Sequence, residues 1–211
     1  MQVSQRGLPK ASLDTPSLET DETALLLCEL QEHRATFEAT AGMLAAPFEK
    51  FLAIAEHRLR DGGKLLLFGN GGSAADAQHI AAELVIRYAK NRAPIPAIAL
   101  TTDTSGLTAC GNDLGFDAVF ERQVEALGRP EDVVLAISTS GNSANVLRGL
   151  QMARNRRLAT LGLTGGEGGQ MVEWCDAVIV VPSRVTARIQ EMHITIGHAF
   201  CKALERRLGL V

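Results

Sequence analysis

The sequence predicts an α/β protein in which helices cover both faces of a doubly wound, five-stranded parallel sheet. After residue 62 the chain repeats one unit: a short apolar run, a loop rich in glycine, serine and threonine, and an amphipathic stretch. The apolar runs do not alternate with polar residues, as expected of strands buried on both faces. Strands that alternate with helices favour parallel pairing through right-handed crossovers.

The five predicted strands are four or five residues long and rich in leucine, isoleucine and valine. They span residues 64–68, 97–100, 133–137, 159–163 and 177–181. Helical patterns cover residues 74–88 and 142–155, and a C-terminal helix is predicted to include residues 188–198. Ligands of such sheets bind beyond the carboxyl ends of the strands, so a site is expected in the loops that follow the strands.

The chain before the sheet divides into two parts. Residues 1–20 mix proline, serine, threonine and glutamine without apolar periodicity, which predicts a flexible N-terminal arm. Apolar residues then recur at helical spacing up to residue 60, which predicts two helices with a break near residues 42–47. Residues 21–211 are expected to form a single domain that includes this helical prefix. The apolar stripes of the prefix need a cover, from the main domain or from another subunit.

The composition argues against several classes of function. The 211 residues include 21 basic and 24 acidic side chains, a formal net charge of −3, so no nucleic-acid partner is expected. No apolar run approaches the roughly 20 residues of a membrane-spanning helix, and no signal-peptide pattern is recognisable. The four cysteines lie far apart without a C-x-x-C pair, which favours free thiols. We therefore expect a cytoplasmic protein without a membrane partner.

A glycine-rich loop follows the first predicted strand. It consists of Gly69, Asn70, Gly71, Gly72 and Ser73, directly before a predicted helix. Glycines let backbone N–H groups approach a ligand closely, and a helix N-terminus adds donors, so this loop can hold an anion or a polyol. Its spacing matches neither the G-x-G-x-x-G dinucleotide pattern nor the P-loop. A tight strand-to-helix turn without a ligand is the alternative.

Hydroxyl side chains dominate the loop after the third predicted strand, which we call the hydroxyl loop. They belong to Ser138, Thr139, Ser140 and Ser143. Together with the free amides of a helix N-terminus, these hydroxyls make a neutral cradle suited to a phosphate monoester. Ordinary N-capping by Ser140 or Ser143 is the alternative. Two such loops at one end of a sheet favour a phosphorylated small molecule as the ligand.

Two helical segments carry side chains of the metal-binding and acid–base types. His79 and Glu83 are four residues apart and therefore share one helical face. On the C-terminal helix, Gln190 and His198 are about 80° apart and can both face a site two turns long, whereas His193 lies about 140° from His198 and is expected to bond elsewhere. Two imidazoles, a carboxylate and an amide oxygen suit a divalent metal such as zinc.

Six longer motifs, taken together, carry a family resemblance. They are GNGGSAADAQHIAAEL (69–84), ALTTDTS (99–105), GND (111–113), ISTSGNSAN (137–145), TGGEGG (164–169) and RIQEMH (188–193). From about residue 22 onward the chain resembles the phosphoheptose isomerases of the sugar isomerase (SIS) domain superfamily. The resemblance implies a flavodoxin-like sheet. It also implies isomerisation of sedoheptulose 7-phosphate to D-glycero-D-manno-heptose 7-phosphate through an enediol, the first step toward the ADP- or GDP-heptose of bacterial lipopolysaccharide core.

The resemblance further implies roles for individual residues. The hydroxyl loop would hold the phosphate, with Glu83 as the base and His198 as its acid–base partner. The sugar would be positioned by Asn70, Gly71, Gly72, Ser73, Glu83, Asn112, Asp113 and Gln190. One zinc ion per subunit would be bound by His79, Glu83, Gln190 and His198. The family also implies a homotetramer with sites shared across subunit contacts.

Three alternatives remain open at this point. The chain is also similar to a non-catalytic SIS-domain protein that binds the bacterial replication initiator, but such a protein has no need to keep Glu83 and His198 together. A SIS module that senses a sugar phosphate usually carries a DNA-binding domain, for which this chain lacks the length and the basic charge. An isomerase or a deaminating enzyme for another phosphosugar would have much the same loops.

Overall fold

The structure, a computed structural model, describes residues 19–211. The predicted arm at residues 1–20 lies outside the described residues, except for its last two positions, which begin the first helix. Its flexibility and the boundary at residue 20 stay predictions.

The described residues form eight α-helices and five β-strands. The helices are α1 (Glu19–Ala41), α2 (Ala45–Arg60), α3 (Gly72–Val85), α4 (Thr104–Asp113), α5 (Val119–Leu127), α6 (Ala144–Asn155), α7 (Met171–Trp174) and α8 (Thr186–Arg207). The strands are β1 (Leu65–Gly69), β2 (Ala97–Ala99), β3 (Val133–Ser138), β4 (Ala159–Gly165) and β5 (Ala177–Val181). Every predicted strand is confirmed to within two residues, and so is the break between the first two helices. Within the described range, no helix has the length and hydrophobicity needed to cross a membrane.

The five strands form one parallel sheet in the order β2-β1-β3-β4-β5. This is the flavodoxin-like order of a doubly wound sheet, so the predicted fold class is confirmed. The strand order reverses between β1 and β3, where Gly69 pairs with Ile137. The loops after β1 and β3 therefore leave the same edge of the sheet side by side. A doubly wound sheet opens its binding crevice at such a reversal.

Apolar layers cover both faces of the sheet. Leu65 and Leu67 of β1 point into the layer that α2, α3 and α8 complete, whereas Leu66 and Phe68 point into the layer of α5 and α6. This alternation follows from the two-residue period of a strand. Since both faces are covered, only the ends of the strands remain accessible to a ligand.

Helix α1 packs mainly against α8 rather than against the sheet. Arg188 of α8 is 5% exposed, and its Nη1 atom donates a 2.6 Å hydrogen bond to the carbonyl oxygen of Glu29. Several apolar side chains of α1 remain between 48% and 63% exposed: Leu25, Leu26, Leu27, Leu30 and Phe37. The apolar stripe expected to need a cover is thus left uncovered by the described residues of its own chain.

Candidate active site

The hydroxyl loop leaves β3 at Ser138 and enters α6. The Oγ atom of Ser138 lies 3.0 Å from that of Ser143 and 3.5 Å from that of Ser140, so three hydroxyls converge. Ser143 occupies the N-cap position of α6, but no side chain caps the helix, and Ser140 Oγ accepts instead from the N–H of Asn142 at 3.2 Å. The capping alternative is therefore not observed. The first amides of α6 stay available to an anion.

Neighbouring loops hold the hydroxyl loop in place. Gly141 has φ +66°, and a Cβ atom there would lie 2.0 Å from the carbonyl oxygen of Gly168. The carbonyl of Gly141 accepts from the N–H of Met171 at 3.0 Å, and Asn142 Oδ1 accepts from the N–H of Gln170 at 3.0 Å. Glycine at position 141 is thus required both by the backbone conformation and by the close packing of the loops after β3 and β4.

A cleft of about 430 Å³ adjoins the hydroxyl loop. The loops after β3, β4 and β5 line it, with Thr139 and Ser140 on one side and Thr186 at the start of α8 on another. Glu167 and Arg184 stand at its rim, 2.8 Å apart and both 85% exposed. The cleft therefore opens at the carboxyl edge of the sheet, where a phosphorylated ligand was expected.

The glycine-rich loop after β1 is joined directly to α6. Asn70 and Asn145 exchange two hydrogen bonds between their side-chain amides, at 2.8 and 2.9 Å. At Gly69 a Cβ atom would lie 2.6 Å from the carbonyl oxygen of Ile137, so glycine permits the close approach of the two loops. Gly71 has φ +54°. The two loops that were predicted to bind ligand thus form one connected surface.

Gln190 of α8 reaches the first turn of α3. A Cβ atom at Gly72 would lie 2.4 Å from Gln190 Nε2, so the side-chain amide of Gln190 rests directly on the glycine backbone. Ser73 beside it is 3% exposed. Gln190 therefore belongs to the loop end of the site, next to the predicted sugar-binding residues.

A second group of residues, the histidine cluster of His79, Glu83 and His198, lies farther along α3 and α8. His79 Nε2 and His198 Nε2 are 2.8 Å apart, at hydrogen-bond distance, and His79 Nε2 lies 3.6 Å from Glu83 Oε1. The ring of Tyr88 stands 5.7 Å from that of His198. One imidazole of the pair must donate while the other accepts, so the pair shares a proton. Proton transfer is the chemistry for which this cluster is suited.

Two carboxyl groups near the histidine pair have a buried oxygen without a partner. In the described residues, neither Glu83 Oε2 nor Asp76 Oδ2 receives a hydrogen bond. Burial raises the pKa of Asp76 to about 6, against the opposing effect of His79. Unpaired, desolvated carboxylates are costly, and they concentrate where proteins carry out chemistry.

The two groups of residues lie at different heights along the same helices. Glu83 follows Gly72 by eleven residues, or about 16 Å along α3, and His198 follows Gln190 by eight, or about 12 Å along α8. One chain therefore brings His79, Glu83 and His198 together, and separately brings Gln190 to the hydroxyl and glycine loops. In this structure Gln190 lies against Gly72 and the other three predicted zinc ligands lie together, so the complete zinc set stays a prediction.

Asn112 and Asp113 end α4. Both are exposed, and Asn112 Nδ2 donates to Asp113 Oδ1 at 2.7 Å. Their side chains form no hydrogen bond with another predicted site residue in the described part of the chain. Their role in sugar binding stays a prediction.

The donor chemistry of the histidine cluster fits zinc, whereas its spacing is that of hydrogen-bonded side chains. Two imidazole nitrogens and the unpartnered Glu83 Oε2 are ligands that zinc accepts. Two nitrogens on one tetrahedral zinc would stand about 3.3 Å apart, against the 2.8 Å between His79 and His198. No three or more His, Cys, Asp or Glu side chains of the described residues already surround a common metal position. The metal prediction therefore rests on donor type.

His193 packs away from both groups, as expected from its position on α8. It is fully buried, its Nε2 lies 3.1 Å from the carbonyl oxygen of Thr164, and burial lowers its pKa to about 4. Since a carbonyl only accepts, Nε2 carries the hydrogen, and the buried Nδ1 has no partner in the described residues.

Sequence reasoning assigned no role to four residues that support the site. Asn145 binds Asn70, and Tyr88 lies beside His198. Arg92 and Glu205 form an ion pair whose side chains are 1% and 2% exposed. Arg92 and Glu205 are 113 positions apart in the sequence, so no local sequence pattern connects them.

Comparison with known proteins agrees with the fold and with the motifs. Residues 30–165, more than half of the chain, match the SIS domain family. A phosphoheptose isomerase from Paramagnetospirillum magneticum is 54% identical over 177 residues, which cover 84% of this chain and 92% of the relative. Another, from Aquifex aeolicus, is 60% identical over 147 residues, which cover 70% and 77%.

Solved structures agree as well. The phosphoheptose isomerase GmhA from Neisseria gonorrhoeae superposes with a TM-score of 0.82 at 42% identity, over 87% of this chain and 98% of that one. A phosphoheptose isomerase from Francisella tularensis gives a TM-score of 0.85 at 34% identity, over 88% and 98%. The resemblance found in the motifs is thereby confirmed, and the chain belongs to the phosphoheptose isomerase family of SIS-domain proteins.

Proposed function

We propose that this chain is an aldose–ketose isomerase that converts sedoheptulose 7-phosphate to D-glycero-D-manno-heptose 7-phosphate. The observation that carries the proposal is the cluster on α3 and α8. There an imidazole pair with a 2.8 Å contact stands beside Glu83, which has a buried and unpartnered oxygen. A binding protein gains nothing from keeping a desolvated carboxylate next to such a pair. This argues against the replication-initiator alternative.

The substrate phosphate would bind at the hydroxyl loop. The converging hydroxyls of Ser138, Ser140 and Ser143 and the uncapped amides of α6 all donate to phosphate oxygens. The helix N-terminus adds a favourable dipole for a dianion. Asn70 and Gln190, at the same edge, would contact the sugar hydroxyls.

Glu83 would move the proton between carbons. Its carboxylate takes the proton from C1 of the ketose, which leaves an enediol, and returns that proton to C2 of the aldose. The unpartnered Oε2 is the acceptor. A positioned base of this kind contributes roughly 10²- to 10⁴-fold to the rate.

His198 would move the second proton between oxygens. It protonates O2 as the carbonyl becomes a hydroxyl, and takes the proton from O1 as C1 becomes an aldehyde. His79, hydrogen-bonded to His198 at 2.8 Å, holds the ring in place and shares its proton. Both proton transfers balance, so the reaction needs no redox partner.

We further propose one zinc ion per subunit. His79, Glu83 and His198 are the residues of one chain that would hold it, and an ion bound to both Nε2 atoms would replace the hydrogen bond between the two imidazoles. When bound, zinc supplies Lewis-acid polarisation of the substrate carbonyl. The backbone of the fourth predicted ligand, Gln190, is about 12 Å from that of His198 along α8 of the same chain, so a neighbouring subunit is a second possible source of this ligand.

The same distances support a homotetramer with shared sites. The glycine-rich loop at the start of α3 and Glu83 near its end are about 16 Å apart along the helix, from Gly72 to Glu83. A neighbouring subunit would bring its own loop and Gln190 to the cluster. The exposed apolar face of α1, with Leu25, Leu30 and Phe37, offers a surface that association would cover. Light scattering of the purified protein checks the oligomeric state.

The proposed reaction places the chain at the entry to heptose synthesis for bacterial lipopolysaccharide or related glycans. A cytoplasmic location is part of this proposal. It is supported by four free cysteines, Cys28, Cys110, Cys175 and Cys201, which suit a reducing compartment.

A turnover assay tests the function. Wild-type protein is expected to convert sedoheptulose 7-phosphate, and Glu83→Gln and His198→Gln are each expected to lose roughly 10²- to 10⁴-fold in kcat. A folded, zinc-supplied wild type without turnover would contradict the proposal. A panel of hexose, pentose and amino-sugar phosphates distinguishes an isomerase of another phosphosugar, which would prefer one of those substrates.

A further inference from the structure

Behind the histidine cluster lies a buried ion pair that the proposed mechanism does not use. Arg92, in the segment between α3 and β2, donates from Nε to Glu205 Oε1 at 2.8 Å. Their side chains are 1% and 2% exposed. Burying two charges costs several kcal/mol per ion, and an apolar pair of similar volume is often as stable or more stable. Stability alone therefore does not account for this pair.

The other donors of Arg92 bind backbone carbonyls, those of Glu83 and Leu84 in α3 and, at 3.0 Å, that of Ala93. Nη2 donates to the carbonyl oxygen of Glu83 at 2.8 Å, and Nη1 donates to that of Leu84 at 2.7 Å. Both carbonyls belong to the last turn of α3, which ends at Val85, and the last carbonyls of a helix lack partners within it. A cation at this end also complements the helix dipole. Arg92 thus caps the very turn that carries Glu83.

Glu205 fixes the other side of the cluster. Its Oε1 atom accepts from the backbone N–H of Tyr88 at 3.2 Å, in addition to Arg92. The ring of Tyr88 lies 5.7 Å from that of His198. Glu205 follows His198 by seven residues, two turns along the same face of α8. One ion pair therefore connects the backbone of Glu83, the residue packed beside His198, and the helix that carries His198.

Glu83 needs this support because its own side chain has little. Its Oε2 accepts no hydrogen bond from the described residues, and its place in a terminal turn exposes it to fraying. A displacement of about 1 Å can cost a reaction about 10²-fold. We propose that Arg92 and Glu205 are positioning residues that hold the base Glu83 in register with His198; this rests on the proposed function.

A paired apolar replacement separates positioning from stability. In Arg92→Met/Glu205→Leu both charges are removed together, so no unpaired ion is left buried; the backbone groups of Glu83, Leu84 and Tyr88 lose a partner, so the protein is expected to fold with a melting temperature lowered by several degrees. The value of kcat is expected to fall about 10²-fold with KM changed less than threefold, since the phosphate loop is untouched. Arg92→Lys keeps the charge but cannot serve Glu205 and both carbonyls at once, so an intermediate loss of about 10-fold is expected.

Arg207→Ala is the matched control. Arg207 also lies at the end of α8 and also forms ion pairs, with Glu49 and Glu56 of α2, but it touches no residue of the cluster. Its kcat and KM are expected to match those of the wild type.

Imidazole ¹⁵N NMR of the metal-free protein gives a readout that does not depend on turnover. The signals of His79 and His198 are expected to shift in the double variant and to stay unchanged in Arg207→Ala. A double variant that folds normally and keeps wild-type kcat and imidazole signals would overturn the positioning role. If the wild type itself shows no turnover, the proposed function fails, and the imidazole signals alone then decide whether the pair positions the cluster.

Discussion

The hydroxyl loop, between β3 and α6, and the histidine cluster, on α3 and α8, are built in opposite ways. The hydroxyl loop consists of backbone N–H groups, a glycine and hydroxyl side chains. Hydrogen bonds within one chain fix its conformation. At the cluster, side chains from two helices meet, His79 stays 48% exposed, and Glu83 keeps an oxygen without a partner. The first region, the proposed phosphate-binding surface, has its conformation fixed by contacts within one chain. The second region keeps an exposed imidazole and a free carboxylate oxygen, which can accept a proton, a metal ion or a group from another subunit.

Subunit mixing tests this comparison with the largest expected effect. If sites are shared, co-expressing Glu83→Gln with Ser140→Ala/Ser143→Ala restores sites that combine an intact cluster with an intact loop. We expect turnover at low substrate concentration at least roughly 10-fold above either parent, because each chemical group lost is worth 10²-fold or more. Activity of purified mixed oligomers, each chain carrying a different tag, checks this.

The control mixes Glu83→Gln with His198→Gln. Both changes damage the same cluster of one chain, so no mixed site is intact and no recovery is expected. Activity equal to the average of the two parents in the first mixture would mean that each chain uses its own loop with its own cluster.

Ser143→Ala sharpens the difference between binding and chemistry. Loss of one hydroxyl to a charged phosphate removes a hydrogen bond of about 1.5–3 kcal/mol, so KM is expected to rise roughly 10- to 100-fold while kcat changes little. Steady-state kinetics and competition by inorganic phosphate measure the effect. A fall in kcat without a change in KM would contradict a binding role for Ser143 and indicate that it acts on the reacting groups.

Acid is expected to reveal how much a neutral His193 contributes to the stability of the protein. Burial lowers the pKa of His193 from its ordinary 6.5 to about 4, so the unfolded chain binds this proton more readily than the folded one. The contribution is fully present above pH 6.5 and is lost as the pH falls toward 4, at about 1.4 kcal/mol per pH unit and about 3 kcal/mol in total. His193→Gln keeps a donor for Thr164 and removes the titration. Chemical denaturation between pH 7 and 4 should therefore show a shallower loss for the variant, and parallel curves would refute the assignment.

The smallest effect is expected at the rim of the cleft. Glu167 and Arg184 are both 85% exposed, and exposed ion pairs contribute about 0–1 kcal/mol. Glu167→Gln should leave the melting temperature within about 4 °C of the wild type. A larger drop would show that the rim belongs to the rigid loop region.

The two regions also differ in how well the sequence predicted them. The hydroxyl loop follows a strand and precedes a helix within six residues, so its position, its neighbours and its hydroxyl groups could all be inferred locally. The sequence predicts only that His79 and His198 are suitable donors on the faces of two helices. The two residues are 119 positions apart, so the sequence does not determine how α3 packs on α8. Gln190 shows the limit of helical geometry. The predicted angle to His198 says nothing of the distance of about 12 Å along the axis, and Gln190 lies against Gly72 at the start of α3.

The reciprocal amide pair of Asn70 and Asn145 has a consequence for how substrate is received. Each amide gives one N–H and accepts one, so a half-turn of either would set oxygen against oxygen and NH₂ against NH₂ and lose both bonds at once. The loop proposed to face the sugar and the helix start proposed to face the phosphate thus share a single conformational state. Both segments are therefore already ordered before a substrate binds. Contacts to the phosphate end and to the sugar end of a long, flexible substrate should then each increase the affinity gained from the other.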